Sequence, residues 1–283
     1  MSVNICIAGL GLIGGSLARS LRLNGFTGRI TGVEANPHHR TIAMYRGLAD
    51  EFLPLEEAVS KSDIIILAAP VNVNCSLLPG ILDMVAGTSR VVTDMGSTKA
   101  DIAAVADMHP ARGRFVAAHP MAGTEHSGPA AAIDRLFGDK TAIICDPEKS
   151  DDDALEMIVA LLQSFNMKIR YMDSGEHDIH VAYVSHISHI TSFALALCVL
   201  DKEKDTGNIM SLAAGGFEST VRLSKSNAET WAPIFTGNAG PIIEVIDTYI
   251  EKMRLFRQHI EEGDSEALTQ LMRSANQIGK ILK

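Results

Sequence analysis

The sequence predicts an α/β half followed by an all-helical half, and three observations carry that reading. Over the first ~170 residues, short β-branched runs alternate with helix-like segments, the pattern of a parallel sheet with crossover helices. After Asp173 the strand signal stops and helical periodicity takes its place. A Gly-x-Gly-x-x-Gly turn joins the first strand to the first helix. The boundary falls near residue 172, so residues 1–172 form one unit and 173–283 the other.

The strands expected in order are Val3–Ala8, Ile30–Glu34, Asp63–Ala69, Val91–Asp94, Phe115–Ala118, Thr141–Cys145 and Lys168–Tyr171. Several are apolar at every position, as in strands covered on both faces. Helices follow at 175–202, 205–224, 227–235, 238–261 and 264–281. Asp173, with Glu176 three residues on, resembles a capping box at the first of them.

Composition narrows the function classes. The chain has 283 residues, 46% hydrophobic and 21% charged, which excludes a disordered chain. No run approaches the ~18 apolar residues of a membrane span. The best, Ile190 to Leu200, is interrupted by Thr191 and Ser192. The first residues lack a basic region and a cleavage site, so no secretory signal and no membrane partner are expected. Cys6, Cys75, Cys145 and Cys198 are scattered among apolar neighbours, as reduced thiols of a cytoplasmic protein would be. A net charge of −9 argues against nucleic acid. An anionic substrate would need positive charge gathered locally.

Gly9-Leu10-Gly11-Leu12-Ile13-Gly14 has the strand before it and the helix after it that a Rossmann-type dinucleotide site requires. Gly9 permits the tight turn, Gly11 the approach of a pyrophosphate, and Gly14 close packing of helix on strand. Glu34 ends the second strand, 20 residues after Gly14, where an acid holds the ribose hydroxyls of NAD and repels the extra phosphate of NADP. The run Asp63 to Pro70 is a core strand whose end, at Pro70, reaches the cofactor edge.

Three polar clusters are not explained by packing. Thr93 to Lys99, with Ser97, follows one strand; His119 to Glu125, with Thr124, follows another. Ligands of such sheets bind outside the carboxyl ends of the strands. A histidine leaving a buried strand into a Pro/Gly loop is placed to act as a general base. The third cluster lies on the helix His177–Leu200. At about 100° per residue, Asp178, Ser185 and His189 share a stripe, with His186 beside it. His177, Asp178, His180, His186 and His189 are dense enough to suggest a metal, but their angles scatter around the helix and no metal is expected. Arg222 follows Gly215-Gly216 and has two readings: a fork on a substrate carboxylate, or a surface pair with Glu218 one turn away.

Together these pieces resemble the prephenate/arogenate dehydrogenase family of tyrosine biosynthesis. The matching segments are GLGLIGGS (9–16), VVTDMGSTK (91–99), HPMAGTEHSG (119–128), EHD (176–178), SHISH (185–189) and GGFESTVRLSKSNAETW (215–231). The resemblance implies a dinucleotide domain, then an all-helical dimerisation domain, with the active site between them. It implies a homodimer and NAD(P)-dependent oxidative decarboxylation of a hydroxycyclohexadiene carboxylate; with Glu34 favouring NAD, the expectation is NAD-dependent conversion of prephenate to 4-hydroxyphenylpyruvate, without a metal because the dienone system is its own electron sink. His119 matches the catalytic histidine, Ser97 its partner near the hydroxyl and nicotinamide, and Asp178 a carboxylate supporting it. Arg222 matches the arginine on a substrate carboxylate, with a histidine as a second cationic partner. Ser185, His186 and His189 match the substrate-lining helix, and Thr124 and Glu125 the loop beside the site. His126 stands where many members have another residue.

Other readings stay open. Arogenate differs from prephenate only in an amino in place of a keto side chain. A reductase of similar build, such as pyrroline-carboxylate reductase or a hydroxyacid dehydrogenase, would lack the HPMAGTE and SHxxH pair. A non-catalytic NAD-sensing protein has no need to keep His119, Ser97, Asp178 and Arg222 together.

Overall fold

Runs that are buried at every position set the centre of the computed structural model, which describes residues 3–281. The α/β half runs β1 (Ile5–Ala8), α1 (Leu12–Leu23), β2 (Ile30–Val33), α2 (Pro37–Tyr45), β3 (Glu51–Phe52), α3 (Leu55–Ser60) and β4 (Ile64–Leu67). It continues with α4 (Val71–Val85), β5 (Val91–Asp94), α5 (Ala100–Asp107), β6 (Phe115–Pro120), β7 (Thr141–Cys145), α6 (Asp152–Ser164) and β8 (Lys168–Met172). The strands form one sheet in the order β3-β2-β1-β4-β5-β6-β7-β8. Alternate residues feed two cores: Ile5 and Ile7 face α1 and α6, while Cys6 and Ala8 face the layer of α3, α4 and α5.

Two features differ from the expected parallel sheet. β7 runs antiparallel to β6, with His119 opposite Ile143. The segment between them holds a single short 3₁₀ turn, Pro129–Ala131, so no crossover helix returns the chain to the starting edge. α6 then supplies such a crossover, and β8 is parallel to β7. β3 is an additional strand of two residues, too short to leave a periodic trace.

The helical half comprises α7 (Ser174–Val181), a π turn (Ala182–His186), α8 (Ile187–Thr206), α9 (Gly215–Val221), α10 (Ala228–Gly237), α11 (Ala239–Glu262) and α12 (Ser265–Ala275). Asp173 caps α7, accepting the Gly175 and Glu176 N–H groups. The helix expected over 205–224 is broken at Gly207, whose φ of 66° ends α8 in the left-handed region. The half's own buried cluster is only Ala182, Ile242 and Val245. Leu197, Leu200, Ile243, Ile250 and Met253 stand exposed. Joined through the π turn, Ser174–Asp205 becomes one helix with a window of mean hydropathy 1.5, long and apolar enough to cross a membrane by length and composition. The 11-residue run seen in the sequence understates it, because helical continuity and not the apolar run sets the length.

Candidate active site

The glycine turn is built as the spacing requires. Gly9 has φ 94°, and a Cβ there would meet the Ala69 backbone nitrogen at 2.6 Å. A Cβ on Gly14 would lie 2.0 Å from the Gly9 carbonyl oxygen, so helix and strand touch through glycine alone. Gly11 has open space beside it and begins α1 without a side-chain cap. The first N–H groups of α1, around half-buried Leu12 and Ile13, therefore carry the partial positive charge of the helix start. Glu34 follows β2, and its carboxylate accepts the Leu10 N–H at 3.1 Å and the Asn36 N–H at 3.0 Å. The acid braces the glycine turn from the next strand. Pro70 is exposed at the end of β4 and begins α4. An open turn, an uncapped helix start and a neighbouring acid fit a dinucleotide.

β6 carries His119 to the same carboxyl edge and buries it there. Its Nδ1 is 2.8 Å from His177 Nε2, and His177 Nδ1 is 2.7 Å from Asp178 Oδ1. The Asp178 carboxylate also accepts the backbone N–H groups of Lys99 at 2.8 Å and Ala100 at 2.9 Å. A carboxylate holding two backbone donors is an acceptor, so His177 presents Nδ1–H to it. In the neutral imidazole His177 Nε2 is then bare and takes Nδ1–H from His119. The remaining atom, His119 Nε2, carries a free lone pair. Burial, then the neighbouring His177, Lys99 and His186, push the His119 imidazole well below its ordinary 6.5. Beneath it the buried Lys99 ammonium is paired with Asp94, whose other contacts are the Gly96 and Ala118 N–H groups. Burial raises the Asp94 carboxyl despite that pairing.

Arg222 corrects one expectation. Its Nη1 donates to Glu125 Oε2 at 2.8 Å, across from the loop after β6, while Glu218 meets Lys225 at 3.9 Å. Arg222 closes α9 with helical backbone, one turn from Glu218, but its guanidinium turns to Glu125 instead. Glu125's own backbone N–H, and then Arg222, hold its carboxyl below the usual range. Thr124 is exposed and its hydroxyl accepts the His126 N–H at 3.2 Å.

On the helical side, His189 stacks on Trp231 at 3.4 Å between centroids and points Nδ1 at the Ser185 carbonyl, 3.1 Å away. Burial holds its imidazole below 6.5, with Arg222 adding to the shift. His186 is buried and Ser185 half-buried within the π turn. Ser97 is half-buried in the loop after β5. The structure thus joins Asp178 directly to the start of α5, and Arg222 with Glu125. Asp178 reaches His119 only through His177, which the sequence suggested solely as a metal candidate. Trp231, Lys99 and Asn238 also escaped sequence reasoning. Their roles depend on partners distant in the chain. Among the described residues, no three His, Cys, Asp or Glu side chains are grouped to hold a metal.

Fold and site define a class: a dinucleotide-dependent dehydrogenase whose α/β half brings a buried histidine to the carboxyl edge of the sheet, hydrogen-bonded to a histidine of the helical half. A family model of the prephenate dehydrogenase nucleotide-binding domain matches residues 17–171, and one of the prephenate dehydrogenase dimerization domain matches 173–274. The chain belongs to the prephenate dehydrogenase family, and is an NAD-dependent oxidoreductase. It is 31% identical to the prephenate dehydrogenase of Bacillus subtilis over 97% of this chain and 75% of that protein. It is similar to the crystal structure of Aquifex aeolicus prephenate dehydrogenase in complex with hydroxyphenyl propionate and NAD+, at TM-score 0.86 and 27% identity, covering 99% of each chain. It also matches Synechocystis arogenate dehydrogenase at TM-score 0.74 and 26% identity, over 99% of this chain and 100% of that one.

Proposed function

We propose that the chain catalyses NAD-dependent oxidative decarboxylation of prephenate to 4-hydroxyphenylpyruvate, in tyrosine biosynthesis. The observation that carries this is the line Asp178–His177–His119, which leaves a bare Nε2 at the carboxyl edge of the sheet. His119 Nε2 takes the proton of the ring hydroxyl. The charge gained is shared with His177 through Nδ1–H and balanced by Asp178. Ser97, on the neighbouring loop, steadies the hydroxyl. Bound NAD supplies the hydride acceptor, held by Gly9, Gly11, Leu12, Ile13, Gly14, Glu34 and Pro70, with Ser97 beside the nicotinamide. Loss of the ring carboxylate as CO2 then yields an aromatic ring. Arg222 offers its guanidinium fork to a substrate carboxylate, Ser185, His186 and His189 line the substrate, and Thr124 and Glu125 bound it.

Residues 1–172 act as the dinucleotide domain and 173–283 as the helical substrate and dimerisation domain. A second copy of the chain covers the exposed apolar faces of α8 and α11, giving a cytoplasmic homodimer with neither membrane nor nucleic-acid partner. Arogenate is the second reading, favoured by the likeness to the Synechocystis enzyme. NADH formation, followed by absorbance with prephenate and with arogenate, and with NAD and NADP, tests both. Turnover is expected with prephenate and NAD; no turnover of either substrate would refute the proposal.

A further inference from the structure

The helix that carries Asp178 does not run evenly to His186. A π turn holds more residues than an α turn, so each later side chain lags behind its α-helical position. Through the turn Ala182–His186, His186 comes onto the face that buries Asp178 and is 1% exposed. Asn238, buried at the joint of α10 and α11, links the two. Its Nδ2 donates to the Asp178 carbonyl oxygen at 2.7 Å and lies 3.1 Å from His186 Nδ1. A carbonyl oxygen only accepts, so the Asn238 atom facing it is the NH2 group. That group also faces His186 Nδ1, which must therefore accept and carry no proton. Burial drives the His186 imidazole down to about 4, opposed by Asp178 and aided by His177 and His189, so the ring is neutral. Its one proton sits on Nε2. That atom is buried and has no hydrogen-bond partner. A buried donor left unmade is costly, and such an atom beside a substrate-lining helix points to a ligand acceptor.

We propose that Asn238 is a positioning residue for substrate recognition: it locks His186 in the Nε2–H form, so that this ring gives a substrate oxygen one neutral donor and no positive charge. This revises the expectation of a cationic histidine and leaves Arg222 to meet carboxylate charge. The part concerning substrate rests on the proposed prephenate reaction; the protonation state does not.

Long-range ¹H–¹⁵N spectra of the histidines in the full-length protein at neutral pH test it, the His186 signals being assigned by their loss in His186→Gln. The unsubstituted protein should show Nε2–H at His186, and Asn238→Ala a mixture of both tautomers. In Asn238→Ala the KM for prephenate should rise about tenfold, with kcat and the KM for NAD within about threefold. His186→Ala should show the same rise, the double variant no more, and His186→Gln, which places an amide donor near Nε2, a smaller one. Nδ1–H at His186 in the unsubstituted protein overturns the proposal. An unchanged KM in folded Asn238→Ala overturns it too. If Asn238→Ala fails to fold, or prephenate is not the substrate, the tautomer of the unsubstituted protein still decides.

Discussion

At neutral pH His119 is held uncharged by what surrounds it, and that sets how its activity should respond to acid. Its imidazole titrates well below 6.5, so kcat/KM should stay level through neutral pH. It should fall only in more acidic solution, as protonation fills Nε2; a fall already centred near 6.5 would contradict the assignment. His119→Asn should lower kcat by about 10²–10⁴, with the KM for NAD little changed. His177→Phe should cost roughly 10–10² in kcat with KM near native, because Asp178 keeps its backbone donors while His119 loses its partner. Arg222→Ala should raise the KM for substrate about tenfold or more, and Lys should rescue only in part, since an ammonium cannot reproduce the fork. Glu218→Ala should be neutral by the same assay, as Arg222 faces Glu125 instead. His119 stood out in the sequence as a histidine at a strand end and Asp178 as a carboxylate on a helix stripe, whereas Arg222 kept two readings until the family resemblance favoured one. The partner of Arg222 was not legible, because Glu125 stands 97 residues away along the chain.

Among the elements, the π turn shows where α-helical arithmetic stops being valid. The stripe of Asp178, Ser185 and His189 assumed an unbroken 100° step, which holds on either side of Ala182–His186 but not through it. The residue types that make the wide turn, Ala-Tyr-Val-Ser-His, carry no signature of it. Asn238 spans it, holding the Asp178 carbonyl in α7 and His186 at the end of the turn, contacts that no local sequence pattern announces. Val184 is 68% exposed within the turn, so its deletion should cost little packing. That deletion should return the segment to α geometry and keep His186 on the Asp178 face, seven residues on and about 20° away at about 100° per residue. The KM for substrate should then stay within about threefold at unchanged helix content by circular dichroism, and a rise of about tenfold or more would show that the wide turn itself is needed. The strand pattern was read correctly for β1, β2 and β4 to β8, give or take a residue or two at their ends. The reversal at β7 was not, because direction depends on whether a helix intervenes and not on the strand's own residues.

For the whole molecule, the contrast between halves decides assembly. The sheet half encloses two full cores, whereas among the described residues the helical half's own cluster of buried apolar side chains is Ala182, Ile242 and Val245, and apolar α8 and α11 side chains stand in the open. Burying such faces is worth about 25 cal/mol per Å², so light scattering should report twice the 30.4 kDa chain mass at micromolar concentration. Leu197→Asp together with Leu200→Asp should shift it toward monomer. Acid should loosen the fold as well. Burial lowers His119, His186 and His189, so the unfolded chain binds protons that the folded one refuses. Their contribution is complete above about 6.5 and is lost as pH falls toward about 4, the value for His186, so Tm should drop across that window. The split into halves was visible from periodicity alone, but not how they join. Lys99, at the N-cap position of α5, cannot cap it, and Asp178 does so from α7. The Lys99 and Ala100 amide protons are thereby held by a side chain of the other half, and exchange once that contact opens. Their deuterium uptake is a built-in gauge of that opening.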